Sequence, residues 1–185
     1  MILCITGRPG SGKTEVSKIL EKMGFHIIEM GSIIKSEMQK EGIPPTIKNI
    51  KEFMFKIRKL NGEEVVAQKV TEKIFSEKGE NIAIIGVRSL NELEYFKKNI
   101  KSISSIAVVS SQEKRFLRLN KRERSDDPKT LSEFTYRENN ETKLGIDYVI
   151  ENSDYTIDNS GTISELEKNV FMILKELEIH HDTTQ

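Results

Sequence analysis

Gly7-Arg8-Pro9-Gly10-Ser11-Gly12-Lys13-Thr14, set directly behind the apolar run Ile2-Leu3-Cys4-Ile5-Thr6, decides how the rest of the chain is read. It is a complete phosphate-binding P-loop: a strand, a glycine-rich turn, then a lysine and a threonine opening a helical stretch. Glycines let the backbone bend into a nest whose N–H groups point at an anion. Lys13 is long enough to reach β- and γ-phosphates, and the Thr14 hydroxyl can ligate Mg²⁺. The helix beginning near Gly12 adds its positive end to the same place. Gly7, Arg8, Pro9, Gly10, Ser11, Gly12, Lys13 and Thr14 are therefore the expected nucleotide contacts, with Thr14 the expected metal ligand.

Around this motif, short apolar runs alternate with longer amphipathic stretches, the pattern of a parallel sheet covered by helices. The expected strands are Ile2–Thr6, Phe25–Met30, Asn81–Gly86, Ser105–Val109 and Asp154–Ile157, each nearly continuous in apolar residues, as strands buried on both faces are. Helices are expected over Lys13–Met23, Ser32–Lys40, Asn49–Leu60, Glu63–Lys78, Leu90–Asn99, Gln112–Lys121, Leu131–Lys143 and Ile163–Ile179. Gly24 and Gly79 stand at helix ends, while Ser89 and Ser111 are placed to cap the helices that follow. The fold expected is α/β, three-layered, with a five-stranded parallel sheet. Residues 1–179 are expected to form one domain and His180–Gln185 a frayed tail.

Composition limits the function classes. The 185 residues carry 29 basic and 29 acidic side chains, so no net charge draws the chain to nucleic acid or an anionic membrane. Aromatics are 6% of residues and do not interleave with basic ones, which leaves a base-stacking surface unsupported. No apolar stretch approaches the ~20 residues of a membrane span, no signal pattern precedes the P-loop, and the single Cys4 permits no internal disulfide. A cytoplasmic protein is expected. His26, His180 and His181 lack metal-ligand spacing, and no nucleophile elbow is present.

Phosphoryl transfer asks for positioning and charge neutralisation more than for covalent chemistry. Arginines for that purpose crowd one segment: Lys114, Arg115, Arg118, Lys121, Arg122 and Arg124, followed by Asp126-Asp127-Pro128, with Arg137 one helix further on. Arg115, Arg118 and Arg122 share a helical face and could converge on one polyanion. The strand Ile82-Ala83-Ile84-Ile85-Gly86-Val87-Arg88 has Ile85 or Gly86 where a P-loop NTPase commonly carries an aspartate for Mg²⁺. Mg²⁺ keeps several waters and needs few protein ligands, so that loss does not exclude it. A GTPase reading fails on motif order. Asn120-Lys121-Arg122-Glu123, which is close to a guanine-reading NKxD, precedes the DxxG-like Asp158-Asn159-Ser160-Gly161 and ends in Glu.

With these pieces assembled, the chain resembles the adenylate-kinase-related, dephospho-CoA-kinase-like P-loop proteins of archaea. The resemblance spans nearly the whole chain and rests on several pieces in order. They are the P-loop, Asn61–Ala67, Gly86-Val87-Arg88-Ser89, Glu92–Phe96, Arg115–Arg118, Arg124–Asp127, Arg137-Glu138, Leu144-Gly145-Ile146, and Asp154-Tyr155 with Asn159. It implies a nucleoside-monophosphate-kinase-like fold with ATP on the P-loop and an adenine-contacting loop near Asn159–Gly161. It also implies an acceptor-side insert over about residues 32–60 and a lid over about 115–130. Arg88 would face the acceptor or the transferred phosphate, and Arg115, Arg118, Arg124 and Arg137 would neutralise the transferred charge. The implied activity is transfer of the ATP γ-phosphoryl group to a nucleotide or related metabolite, dephospho-CoA being another candidate acceptor. An ATP-binding regulatory module is the alternative. The chain departs from that family at Ser32 and Ile85, where aspartates are expected, and at Lys35 and Asn139, where arginines are expected. An acceptor alcohol profits from a carboxylate that takes its proton, whereas a phosphate acceptor does not, so Ser32 favours a phosphate acceptor or no turnover.

Overall fold

The structure, a computed structural model, describes residues 1–76, 81–122 and 127–182. In chain order the elements are β1 (Ile2–Thr6), α1 (Lys13–Lys22), β2 (His26–Glu29), α2 (Met30–Lys40), α3 (Ile47–Asn61), α4 (Val65–Ser76) and β3 (Ile82–Val87). They continue with α5 (Leu90–Asn99), β4 (Ile103–Val109), α6 (Gln112–Arg122), α7 (Leu131–Lys143), α8 (Ile146–Glu151), β5 (Tyr155–Asp158) and α9 (Ile163–Asp182). The five strands form one parallel sheet, as the apolar runs predict, and their order in it is β2-β3-β1-β4-β5.

Alternation along each strand sends apolar side chains to two cores. Cys4, Ile28, Ile82 and Ile84 pack with Ile34 and Met38 of α2, Phe53 of α3, Val66 and Val70 of α4, Phe96 of α5 and Val149 of α8. Leu3, Ile5, Ala83, Ile85, Ile106, Val108 and Ile157 pack with Val16 and Leu20 of α1 and Leu166, Val170 and Leu174 of α9. This is a helix–sheet–helix sandwich with the P-loop leaving the central strand. Desolvation in the first core pushes the Cys4 thiol far above its ordinary range, so it behaves as a small hydrophobe.

Local differences from the sequence expectations have physical causes. Glu29 ends β2 and Met30 opens α2 with no linker, so the expected Phe25–Met30 strand is shorter at both ends. β3 continues to Val87 because Gly86, at φ 99°, forms a bulge. The ladder jumps from Ile5↔Ile85 to Thr6↔Val87, and Thr6 Oγ1 donates to the Val87 carbonyl at 2.7 Å. Helix α8 was not foreseen. It has six residues, too few for a readable period, and starts from Gly145 in the left-handed region at φ 92°. No glycine or proline stops α9 at Ile179, and it runs on to Asp182, whereas the tail expected to fray began at His180. Lys78 and Gly79, the expected end of the fourth helix, lie outside the described residues.

Candidate nucleotide site

The P-loop bends where its glycines stand. Gly7, Gly10 and Gly12 have φ of 142°, 79° and 110°, and what lies behind them leaves no room for a side chain. A Cβ on Gly10 would come within 2.5 Å of the Arg115 carbonyl oxygen; on Gly7 it would strike the Val108 carbonyl, and on Gly12 the Asn159 side-chain nitrogen. Asn159 is itself buried: its Nδ2 donates to the Ser11 carbonyl at 2.8 Å and its backbone N–H to Val109 O at 2.8 Å. The loop is thus shaped from behind by β4, α6 and the turn after β5. Ser11 Oγ is buried beneath it with no hydrogen-bond partner among the described residues.

Lys13 Nζ lies inside the loop, donating to the Gly7 carbonyl at 2.5 Å and to the Arg8 carbonyl at 3.1 Å. The residue is partly exposed, but the ammonium is its buried end. Burial chiefly, and then the neighbouring Arg88, push its pKa from 10.5 down to about 7; Glu141 opposes them, and Arg137 and Arg122 add to the depression. The centre of the loop is short of negative charge.

Each expected arginine on the described segments is held by an internal partner. Arg115 is 5% exposed and forms a forked pair with Glu138, Nη1 to Oε1 at 2.7 Å and Nη2 to Oε2 at 2.6 Å, while stacking over Phe134 at 5.5 Å. Arg8 joins the same carboxylate at 3.4 Å and also reaches Thr142 Oγ1 at 2.8 Å and Asp147 at 2.5 Å. Arg118 Nη2 donates to Asn159 O at 2.7 Å, and its Nη1 approaches the Gly10 and Ser11 carbonyls at 3.5 and 3.3 Å. Arg122 forks onto Asp127, which Arg137 reaches at 3.5 Å. Arg88 is half exposed and contacts Glu141 at 3.2 Å; its backbone N–H is fixed at 3.0 Å by Glu92, the acid of the Ser89 capping box. Arg115, Arg118 and Arg122 therefore share a helix but go to three different partners. Arg124 lies outside the described residues.

Ser32 caps the chain reversal after β2, its hydroxyl donating to the Glu29 carbonyl at 2.7 Å. With Lys35, Ser36, Gln39 and Gly42–Pro45 it lines a groove of about 580 Å³. Ile85 is buried in the second core. Sequence reasoning did not single out Glu141 and gave Glu138 and Asp127 no role; Glu138 and Glu141 are three apart on α7 and so on one face. Their signal was the i, i+3 spacing; which cations they meet depends on tertiary contacts.

Among the described residues, no helix is long and apolar enough to cross a membrane, and no cluster of three or more His, Cys, Asp or Glu is gathered for a metal. The AAA-domain family matches residues 3–144. A UPF0200 protein of Methanothermobacter thermautotrophicus is 39% identical over 96% of this chain and 90% of its own length; one of Pyrococcus furiosus is 41% identical over 92% and 94%. The chain belongs to the UPF0200 family. Among solved structures, TT1252 from Thermus thermophilus superposes with a TM-score of 0.66 at 17% identity, over 96% of this chain and 97% of that one. A shikimate kinase from Acinetobacter baumannii in complex with shikimate gives 0.60 at 16% over 95% and 93%. A gluconokinase from Sinorhizobium meliloti gives 0.57 at 13% over 99% and 97%. The UPF0200 chain therefore has the α/β fold of P-loop kinases.

Proposed function

We propose that the protein binds ATP with Mg²⁺ over Gly7–Thr14 and transfers the γ-phosphoryl group to a small acceptor, a nucleotide or related metabolite, seated beside Ser32 and Lys35. The observation that carries this reading is the Lys13 ammonium, buried among cations and depressed to about 7, which a polyphosphate would recharge. The residues fit a magnesium nucleotide. The loop is already bent, and the Thr14 hydroxyl at the start of α1 makes no bond to another described residue. Bound there, the magnesium nucleotide supplies an activated phosphoryl group whose developing charge must be neutralised. Lys13 would hold the phosphates, and Arg88, anchored at its backbone by Glu92, would orient the acceptor. Arg118, tied to Asn159, would border the base. Arg115 would act by fixing the loop through Glu138, and Arg137, with Arg124, would neutralise charge on the transferred group. In this layout residues 1–179 form one cytoplasmic kinase-like domain, with the acceptor insert about 32–60 and a lid about 115–130.

A second reading, an ATP-sensing module without turnover, draws support from the pairing of Arg115, Arg88, Arg122 and Arg137 with internal acids. Incubation with Mg-ATP and a panel of nucleoside monophosphates, dephospho-CoA and hydroxylated acids, with nucleotide affinity measured by calorimetry, separates the two. Product that disappears in Lys13→Ala supports transfer. Micromolar binding with no product across the panel overturns it.

A further inference from the structure

Ile85 leaves the metal side of the P-loop without its usual acid, and the sheet register shows which residue stands next to the gap. In the parallel β2–β3 ladder, Glu29 is the register partner of Ile85, which in turn pairs with Ile5, two residues before the loop. Ile27 and Ile85 both point into the core beneath α1. With side chains alternating along a strand, Glu29 leaves β2 on that same face. This is the face whose upper edge is the N-terminus of α1, where Thr14 stands. Neighbouring strands lie about 4.8 Å apart, so the carboxylate is set one strand beyond the position Ile85 occupies.

Among the described residues, most other acids near the rim are committed. Glu138 holds Arg8 and Arg115, Glu141 holds Arg88, Asp127 holds Arg122 and Arg137, Glu15 pairs with Lys18, and Glu92 pairs with Arg58. Asp158 ends β5, at the opposite edge of the sheet beside Asn159. Glu29 is exposed, and its carboxylate bonds to no other described residue; its backbone carbonyl accepts from the Ser32 hydroxyl.

We infer that Glu29 supplies the carboxylate absent at Ile85, accepting hydrogen bonds from the waters of a nucleotide-bound divalent cation at Thr14. The inference rests on the reading of Gly7–Thr14 as a magnesium-nucleotide cradle. Magnesium dehydrates reluctantly and is usually held through its waters, so an acid one strand further out suits it. Glu29 is then a positioning residue for the metal; it does not touch the transferred phosphoryl group.

The test uses the full chain, the β,γ-imido analogue of ATP, and Mn²⁺ as a paramagnetic probe. Electron paramagnetic resonance reports Mn²⁺ affinity for the protein–analogue complex, and calorimetry in EDTA reports metal-free analogue affinity. Glu29→Gln, at an exposed position, is expected to weaken Mn²⁺ about tenfold and to leave metal-free affinity within about twofold, while Asp158→Asn changes neither. Unchanged Mn²⁺ affinity in Glu29→Gln overturns the inference, as does an equal loss with and without metal or a loss confined to Asp158→Asn. Wild-type protein that binds no analogue fails in its own arm and sinks the nucleotide reading itself.

Discussion

Nucleotide binding should take up a proton, and Lys13 sets how much. With the free-state pKa near 7, about nine-tenths of the lysines are neutral at pH 8 and about one-tenth at pH 6. A bound polyphosphate favours the ammonium, so binding at pH 8 should draw about 0.9 proton per site from buffer. Apparent affinity should fall about tenfold per pH unit above 7 for as long as the complex keeps its proton. The depression from 10.5 to about 7 amounts to roughly 5 kcal/mol disfavouring the free ammonium, an energy the phosphates can offset. Calorimetry in two buffers of different ionisation enthalpy measures the uptake directly. Lys13→Arg keeps a permanent charge and should abolish it. Uptake below about 0.2 in the wild type at pH 8, or undiminished uptake in the arginine variant, would refute the account. Folding carries the mirror image. The unfolded lysine titrates near 10.4, so between about pH 7 and 10 the unfolded chain holds the extra proton. This residue's contribution therefore makes stability rise with pH over that window, and Lys13→Met should flatten the rise.

Glu138→Gln breaks the forked pair with Arg115 and leaves a buried guanidinium uncompensated; a loss of about 3–5 kcal/mol is expected in urea unfolding. Gly10→Ala forces a Cβ against the Arg115 backbone and should cost more than Gly24→Ala, where φ is also positive (88°) but nothing lies within 4 Å. The open site should cost about 1 kcal/mol or more and the crowded one at least about twice that, read from thermal midpoints. Asp154 is held below its ordinary pKa by bonds from Lys97 and Ser105 that outweigh its burial. Its stabilisation is present above about pH 4 and fades as pH falls through the depressed folded value, so Asp154→Asn should flatten the acid limb of the stability profile.

The five strands and most helices were legible because continuous apolar runs and 3.6-residue periods are local signals. The P-loop was legible for the same reason, its whole sequence being contiguous. Helix α8 was not, having less than two turns, nor was the bulge at Gly86, which looked like the end of a strand. The site was half legible. Arg115, Arg118 and Arg122 were visible as a cluster on one helix, but their partners sit on α7, beside the P-loop and after α6, at separations no periodicity encodes. The empty acid position at Ile85 could be read from sequence; the nearness of Glu29 needed the strand register.

The glycines packed against Val108, Arg115 and Asn159 have a consequence for ligand affinity. A loop whose curvature is imposed by its neighbours is preorganised: its ordering entropy is lost when the chain folds, and little remains to be lost when nucleotide arrives. Affinity can therefore be tuned by residues no ligand touches. Glu138 and Phe134, which hold Arg115 against the back of Gly10, act as set-screws for the cradle, and drift at such positions would retune nucleotide affinity while every phosphate contact stayed unchanged.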